Sequence, residues 1–341
     1  MGADMNSIIK NTANFALTAL AVAFVSIVFS SAAFAEKNYQ PPRMPNGKPS
    51  LQGAWTNASI TTLERSAKYA ELIIPENQVQ ALTNAHPQVV RQNTDDNLDH
   101  ANGLLDGSDL ARGRGYNAFW IDPGKTFGLV KGTHRTSWIV DPVNGKIPLN
   151  ANGNKWLQQL NQRRAKNFDG PEARPPAERC LIIGGRVGPP MVNGLYNNNY
   201  QIVQTDNHVA IWVEMVSHVR IIPLTKNKEE FNSHINPLFG ESIGHWEGDT
   251  LIVETSHFSD LQMESPVPLS ASAKVTERFS RVSEQQLLYE FAIDDPNLYS
   301  QIWKGEMSFM RQENGVFEYA CHEGNYALEG ILGGARYQEQ Q

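Results

Sequence analysis

Glu214, His218 and Arg220 fall at even separations in Trp212-Val213-Glu214-Met215-Val216-Ser217-His218-Val219-Arg220, so an unbroken strand would turn all three to one face. The residues between them are mainly apolar. A Glu–His pair exchanges a proton with substrate near neutral pH, and an arginine fork holds an oxyanion or carboxylate. A second cluster, Glu318-Tyr319-Ala320-Cys321-His322-Glu323-Gly324-Asn325-Tyr326, places two further carboxylates, an imidazole, an amide and two phenols around a cysteine. The acid/base reading takes His218 and His322 as proton-transfer groups and Glu214 and Glu318 as their partners. Arg220, Asn325, Tyr319 and Trp212 then serve as substrate contacts. Structural hydrogen-bonding corners account for the same residues equally well.

Other patterns offer less. Gly240-Glu241-Ser242-Ile243-Gly244 matches the G-x-S-x-G nucleophile elbow by letter. That elbow needs strand, sharp turn and helix, whereas His245-Trp246-Glu247-Gly248-Asp249 leads into a hairpin and a second strand. The nine histidines show neither the i, i+4 pairing of a helical metal site nor an i, i+2 pair on a strand, so no metal is expected. Nothing resembles a Walker loop, a dinucleotide fingerprint or a haem-attachment motif, and no cofactor is expected. The net charge is −7, from 29 Lys and Arg against 36 Asp and Glu, which argues against a nucleic-acid surface. A small-molecule ligand or substrate is the expected partner.

The elements that must position these residues begin after an export signal. Phe15–Phe29 is one apolar run, preceded by Lys10 and followed by small residues ending in Ala33-Phe34-Ala35, an A-x-A cleavage signal. A membrane anchor is the competing reading, but the run is shorter than the roughly 20 residues a spanning helix needs. With residues 1–35 removed, the mature chain is exported, periplasmic or secreted, with no stable membrane insertion. Cys180 and Cys321 are the only cysteines, and an even count in an oxidising compartment favours a disulfide over a nucleophilic thiol.

Residues 36–50 are proline-rich and extended, and residues 51–341 read as a single β-rich domain. Helices are expected near 75–84, opened by Pro75-Glu76, and 154–165. Turn chemistry at Val143–Lys146, Thr205–His208, Glu247–Thr250 and Glu313–Val316 predicts hairpins between strand-like runs. The runs are Thr136–Val140, Tyr200–Thr205, Val209–Met215, His218–Leu224, Leu251–Phe258, Lys274–Val282, Leu287–Ile293, Trp303–Met310 and Val316–Ala320. A long antiparallel meander must hide its edges, so closure into a barrel or a curled sandwich is expected. Glu254, Glu290 and Glu306 alternate with apolar neighbours, which reads as a wet exterior opposite a packed core.

The stretches Tyr116–Gly124 (YNAFWIDPG), Arg135–Pro142 (RTSWIVDP), Glu178-Arg179-Cys180, Tyr196-Asn197-Asn198, Arg220–Leu224 (RIIPL), Gly244–Leu251 (GHWEGDTL) and Tyr319–Tyr326 (YACHEGNY) resemble a family of uncharacterised exported bacterial proteins. They span most of the mature chain. The resemblance implies an exported β-rich protein and carries over no catalytic residue. A fold-level similarity to lipocalin-like barrels rests on Gly53-Ala54-Trp55 and the strand count, and does not license a function. Three functions remain in play. The first is a metal-independent acid/base enzyme, a lyase, isomerase or hydrolase, acting on a small, largely apolar organic molecule. The others are a lipocalin-like carrier of a hydrophobic small molecule without turnover, and a structural protein of the cell envelope. Catalysis expects the 214–220 and 318–325 side chains to converge on one cavity. A carrier expects an apolar cavity with one or two polar contacts.

Overall fold

Two-residue alternation of apolar and polar side chains governs most of the architecture. The computed structural model describes residues 39–96, 121–181, 187–225 and 237–341. The expected export signal at 1–35, the Tyr116–Trp120 part of the aromatic motif and His234 lie outside the described residues. The chain divides into two compact units at Tyr39, and the account below concerns Gln40–Gln341.

The protein is mainly β, with antiparallel sheets and few helices. Its strands are β1 (Gly53–Thr56), β2 (Ile73–Ile74), β3 (Leu129–Val130), β4 (Thr133–Arg135), β5 (Ile139–Asp141), β6 (Asn199–Gln204) and β7 (His208–Val213), followed by β8 (His218–Pro223), β9 (Glu241–Glu247), β10 (Thr250–Ser256), β11 (Lys274–Arg281), β12 (Gln286–Asp294) and β13 (Trp303–Gln312). The main sheet has the order β8-β7-β6-β1-β13-β12-β11-β10-β9, with β5 added to β13, and β2-β4-β3 form a small second sheet. Two meanders, β6 to β8 and β9 to β13, are therefore joined through the N-terminal strand β1. The hairpins at Thr205–His208 and Glu247–Thr250 form as predicted, the second with Gly248 at a φ of 57°.

Two other predicted hairpins do not form. Val143–Lys146 closes a local turn in which Gly145 N–H donates to the Pro142 carbonyl, with no strand following. After Glu313–Val316 the run Val316–Ala320 is not a strand. Both edges of β13 are already occupied, by β12 on one side and by β1 and β5 on the other, so nothing is left for that run to pair with.

Helices α1 (Glu76–Asn84), α2 (Pro87–Asp96), α3 (Ala151–Lys166) and α4 (Tyr326–Glu339) complete the chain. Pro87 opens α2, the helix position proline tolerates best. Asn150 caps α3 by accepting from Gly153 N–H. No helix of the described residues is long and apolar enough to cross a membrane.

The inward phase of the main sheet is filled with aromatic side chains. Trp55, Tyr200, Phe279, Tyr289, Trp303 and Phe309 are essentially inaccessible, and edge-on ring contacts join Tyr200 to Phe309 at 4.9 Å and Tyr289 to Phe309 at 5.4 Å. On the opposite face Glu290 and Glu306 are bridged by Lys131 Nζ at 3.0 and 2.8 Å; both carboxylates are only partly exposed, and Leu288 and Ser308 on the same face are buried, so this face is partly covered and not the expected wet exterior. The two end strands of the sheet, β8 and β9, also meet. Leu224, just past β8, makes a parallel bridge with Gly244 of β9. A Cβ on Gly244 would press on Ile222 and Leu224 at 3.0 Å, so glycine is what permits this approach.

Candidate functional site: the seam between β8 and β9

In β8 the inward residues are His218, Arg220 and Ile222, while Val219 and Ile221 face outward and are exposed. Ahead of the Leu224–Gly244 bridge the two strands leave a cavity of about 380 Å³. Its walls are the length of β8 and the segment from Pro237 to Ile243. The volume lies in the lower part of the small-molecule range.

Arg220 lines the cavity and is paired with an internal carboxylate. Its Nη1 and Nη2 donate to the two Glu277 carboxylate oxygens at 3.0 and 2.6 Å. Tyr289 OH donates to the same carboxylate at 2.8 Å and accepts from Met191 N–H at 3.0 Å. Burial works against the guanidinium charge, but the adjacent Glu277 more than offsets it and holds the arginine above its ordinary value. Burial, reinforced by Glu277, raises the Tyr289 phenol well above its ordinary range. The expected role of Arg220 as a fork for a substrate carboxylate is thus corrected: an internal carboxylate already occupies it.

The His218 and Phe239 rings, both lining the cavity, meet in a tilted contact with centroids 4.3 Å apart. Burial first, and the Arg220 charge second, pull its imidazole down to about 4. The unfolded chain, with an ordinary histidine value of 6.5, takes up this proton first. Stability contributed by neutral His218 is therefore complete above about pH 6.5 and is lost as pH falls toward 4. The His218 Cε1 proton, followed by NMR, should titrate with a midpoint near 4 in the folded protein. A midpoint at the ordinary value would contradict the buried placement.

On the β9 side, Ser242 sits inside a strand, with its Oγ 2.8 Å from Thr255 Oγ1 and 3.4 Å from Arg220 Nη2. The chain runs on into the β9–β10 hairpin, which rules out a nucleophile elbow. Glu241 lines the cavity as well. Beside it His257 adopts a φ of 57°, with Nδ1 3.1 Å from Ser256 Oγ and 3.5 Å from Glu241 Oε2. Because β10 ends at Ser256, the left-handed His257 leaves the strand's alternation and turns toward Glu241.

The other sequence-designated residues lie elsewhere. Glu214 is not on the strand: a turn at Glu214–Ser217, with Val216 and Ser217 at φ of 54° and 48°, separates β7 from β8. Its buried carboxylate accepts from Asn197 Nδ2 and Asn199 Nδ2, each at 2.6 Å, and so pins the asparagine-rich loop. Trp212 pairs with Val219 on the outer face, away from His218 and Arg220. Cys180 and Cys321 form a disulfide with a Cα–Cα distance of 5.9 Å. Around it Asn325 Nδ2 donates to the Glu178 carbonyl at 2.8 Å, and Glu318 and His322 are exposed. Tyr319 N–H donates to Ser217 Oγ at 3.1 Å. The two clusters therefore meet at the β7–β8 turn, yet none of Glu318, Tyr319, His322 and Asn325 lines the cavity.

Glu241, His257 and Glu277 were not designated from the sequence. Glu277 had a legible signal, since it shares its phase in β11 with Val275 and Phe279. Among the described residues no three of His, Cys, Asp and Glu are grouped to hold a metal. An open groove of about 660 Å³ beside α1, floored by Tyr69, His86 and Phe127, contains none of the designated residues. No family model, curated protein or solved structure matches the chain.

Proposed function

We propose that this is an exported protein that binds a small, largely apolar organic molecule at the β8–β9 seam without transforming it. The observation that carries this reading is the 380 Å³ cavity, whose lining includes Pro237, Leu238, Phe239 and Ile243 beside His218, Arg220, Glu241 and Ser242. One of those groups, Arg220, is already paired with both oxygens of Glu277. None of the proposed acid/base partners in the 318–325 segment lines the cavity with His218. The disulfide is consistent with an oxidising, exported location. We infer further that the main sheet curls into a lipocalin-like barrel closed at this seam. The Leu224–Gly244 bridge and the Arg220–Glu277 pair, which links an end strand to β11, support that closure. The aromatic filling of the inner face then leaves the seam, not the barrel centre, for a ligand.

Acid/base turnover is a second reading, favoured by the presence of His218 and Glu241 in one cavity. Native mass spectrometry of the full chain after incubation with a small-molecule extract of bacterial envelope separates the two. Carriage gives an adduct that is recovered with its mass unchanged and is lost in Leu238→Trp, which fills the cavity. A recovered molecule of altered mass supports turnover, and an adduct retained in Leu238→Trp overturns the seam as the site.

A further inference from the structure

The groove beside α1 shares no lining residue with the seam cavity. Its most buried ring is Phe127, which is almost wholly inaccessible to water. Tyr69 and His86 both stand edge-on to Phe127, with centroids 5.9 Å away and interplanar angles of 90° and 83°. Such pairs hold three rings in one arrangement, and Ile74 and Leu82 extend the apolar surface beside them. At about 660 Å³ the groove has room for an aromatic ring and a short side chain.

The polar groups gather around His86. Its Nδ1 accepts from Gln88 N–H at 3.3 Å, so the neutral imidazole carries its proton on Nε2. Burial first, and the Lys68 charge second, hold His86 below its ordinary value, which keeps it neutral at pH 7. No group among the described residues accepts the Nε2 proton. Lys68 also lines the groove, is exposed, and makes no ion pair among the described residues. On the same loop the buried Arg65 donates from Nη1 to the carbonyl of Ala70, a lining residue, at 3.1 Å, and has no carboxylate at ion-pair distance among the described residues. Against these cations stands one lining carboxylate, Glu71, which is exposed. The Lys68 charge acts on His86, and that of Glu71 is not among the influences there. The His86 end of the groove is therefore positive, and it offers one cation and one N–H donor to the two oxygens of a carboxylate.

We propose that this groove binds an aromatic carboxylate, with its ring against Phe127 and Tyr69 and its carboxylate held by Lys68 and His86 Nε2. The proposal adds a second site and does not depend on the seam.

Phenylacetate, phenethyl alcohol and phenethylamine share one ring and differ in headgroup, so they isolate the charge preference. Each is titrated into the full chain at neutral pH by NMR, with the Tyr69 and His86 ring protons reporting the groove and the His218 ring protons reporting the seam. Phenylacetate is expected to bind about fivefold or more tightly than phenethyl alcohol, the added worth of a charge-assisted hydrogen bond beside an exposed cation, with phenethylamine weakest. Lys68→Gln should reduce that preference. Lys68→Gln with His86→Phe, read at Tyr69, should abolish it while leaving the alcohol's affinity in place, which also shows that the variant is folded. Equal affinity for acid and alcohol, tighter binding of the amine, or a preference that survives the double change overturns the proposal. So does the absence of any shift at Tyr69 and His86 with all three at ~10 mM, whatever the His218 signals do.

Discussion

Glu277→Ala is expected to lower the unfolding free energy by about 3–5 kcal/mol, the cost of leaving a buried charge without its counter-ion. Glu277 is wholly inaccessible and Arg220 nearly so, and the pair sits against Tyr289 among aromatic rings. Removing the carboxylate leaves a nearly buried guanidinium without its counter-ion, and also leaves the Tyr289 hydroxyl without its acceptor. Replacing both partners by apolar residues, Arg220→Met with Glu277→Leu, should cost far less than the single change. Both desolvation penalties vanish together in that case. Urea denaturation of the two single variants and the double variant closes the cycle. A loss below about 1 kcal/mol in Glu277→Ala would mean that water reaches the pair. Because this contact ties the end strand β8 to β11, its loss should also loosen the seam and weaken ligand binding.

That contact also shows how far a single sequence can be read. Arg220 shares its phase in β8 with Ile222, and Glu277 shares its phase in β11 with Val275 and Phe279. Each is a charge on an apolar face, which period-2 alternation exposes. Their pairing depends on which strands become neighbours across 57 residues, and alternation is silent about that. Hairpins built on Asp206-Asn207 and Gly248-Asp249 were legible because those residues tolerate left-handed backbone. The turn at Glu214–Ser217 was not, because Val216 and Ser217 occupy that region with no glycine or asparagine to announce it. Reading through it put Glu214 on the wrong side of a strand end. Counting cysteines gave the disulfide. Helix α4 carried the spacing Leu328, Ile331, Leu332 and Ala335, but Gly330, Gly333 and Gly334 speak against a helix in isolation.

Removing the disulfide, by Cys180→Ser with Cys321→Ser, tests whether the C-terminal cluster belongs to the site. The bridge spans 141 residues, and in the chain-entropy model it destabilises the unfolded chain by about 5 kcal/mol. The folded chain also gains freedom when the bridge is cut, because what lies past Gln312 is thinly packed. Helix α4 buries no residue. Besides the bridge, that segment is held by Asn325 on the Glu178 carbonyl, Arg336 on the Asp169 carbonyl and Tyr319 N–H on Ser217. Release of this tail offsets part of the entropic loss, so the net decrease in stability should be about 2–5 kcal/mol. Hydrogen exchange should report fast exchange throughout Tyr326–Glu339 while β11, β12 and β13 stay protected, since that sheet keeps its pairing without the tail. Unchanged protection in α4 would show that packing, not sulfur, holds it. Ligand binding at the seam should persist in the same variant, because neither cysteine nor any residue from 313 onward lines the cavity. A serine variant that keeps its sheet but loses the ligand would return Glu318, His322 and Asn325 to the site and displace the seam from it.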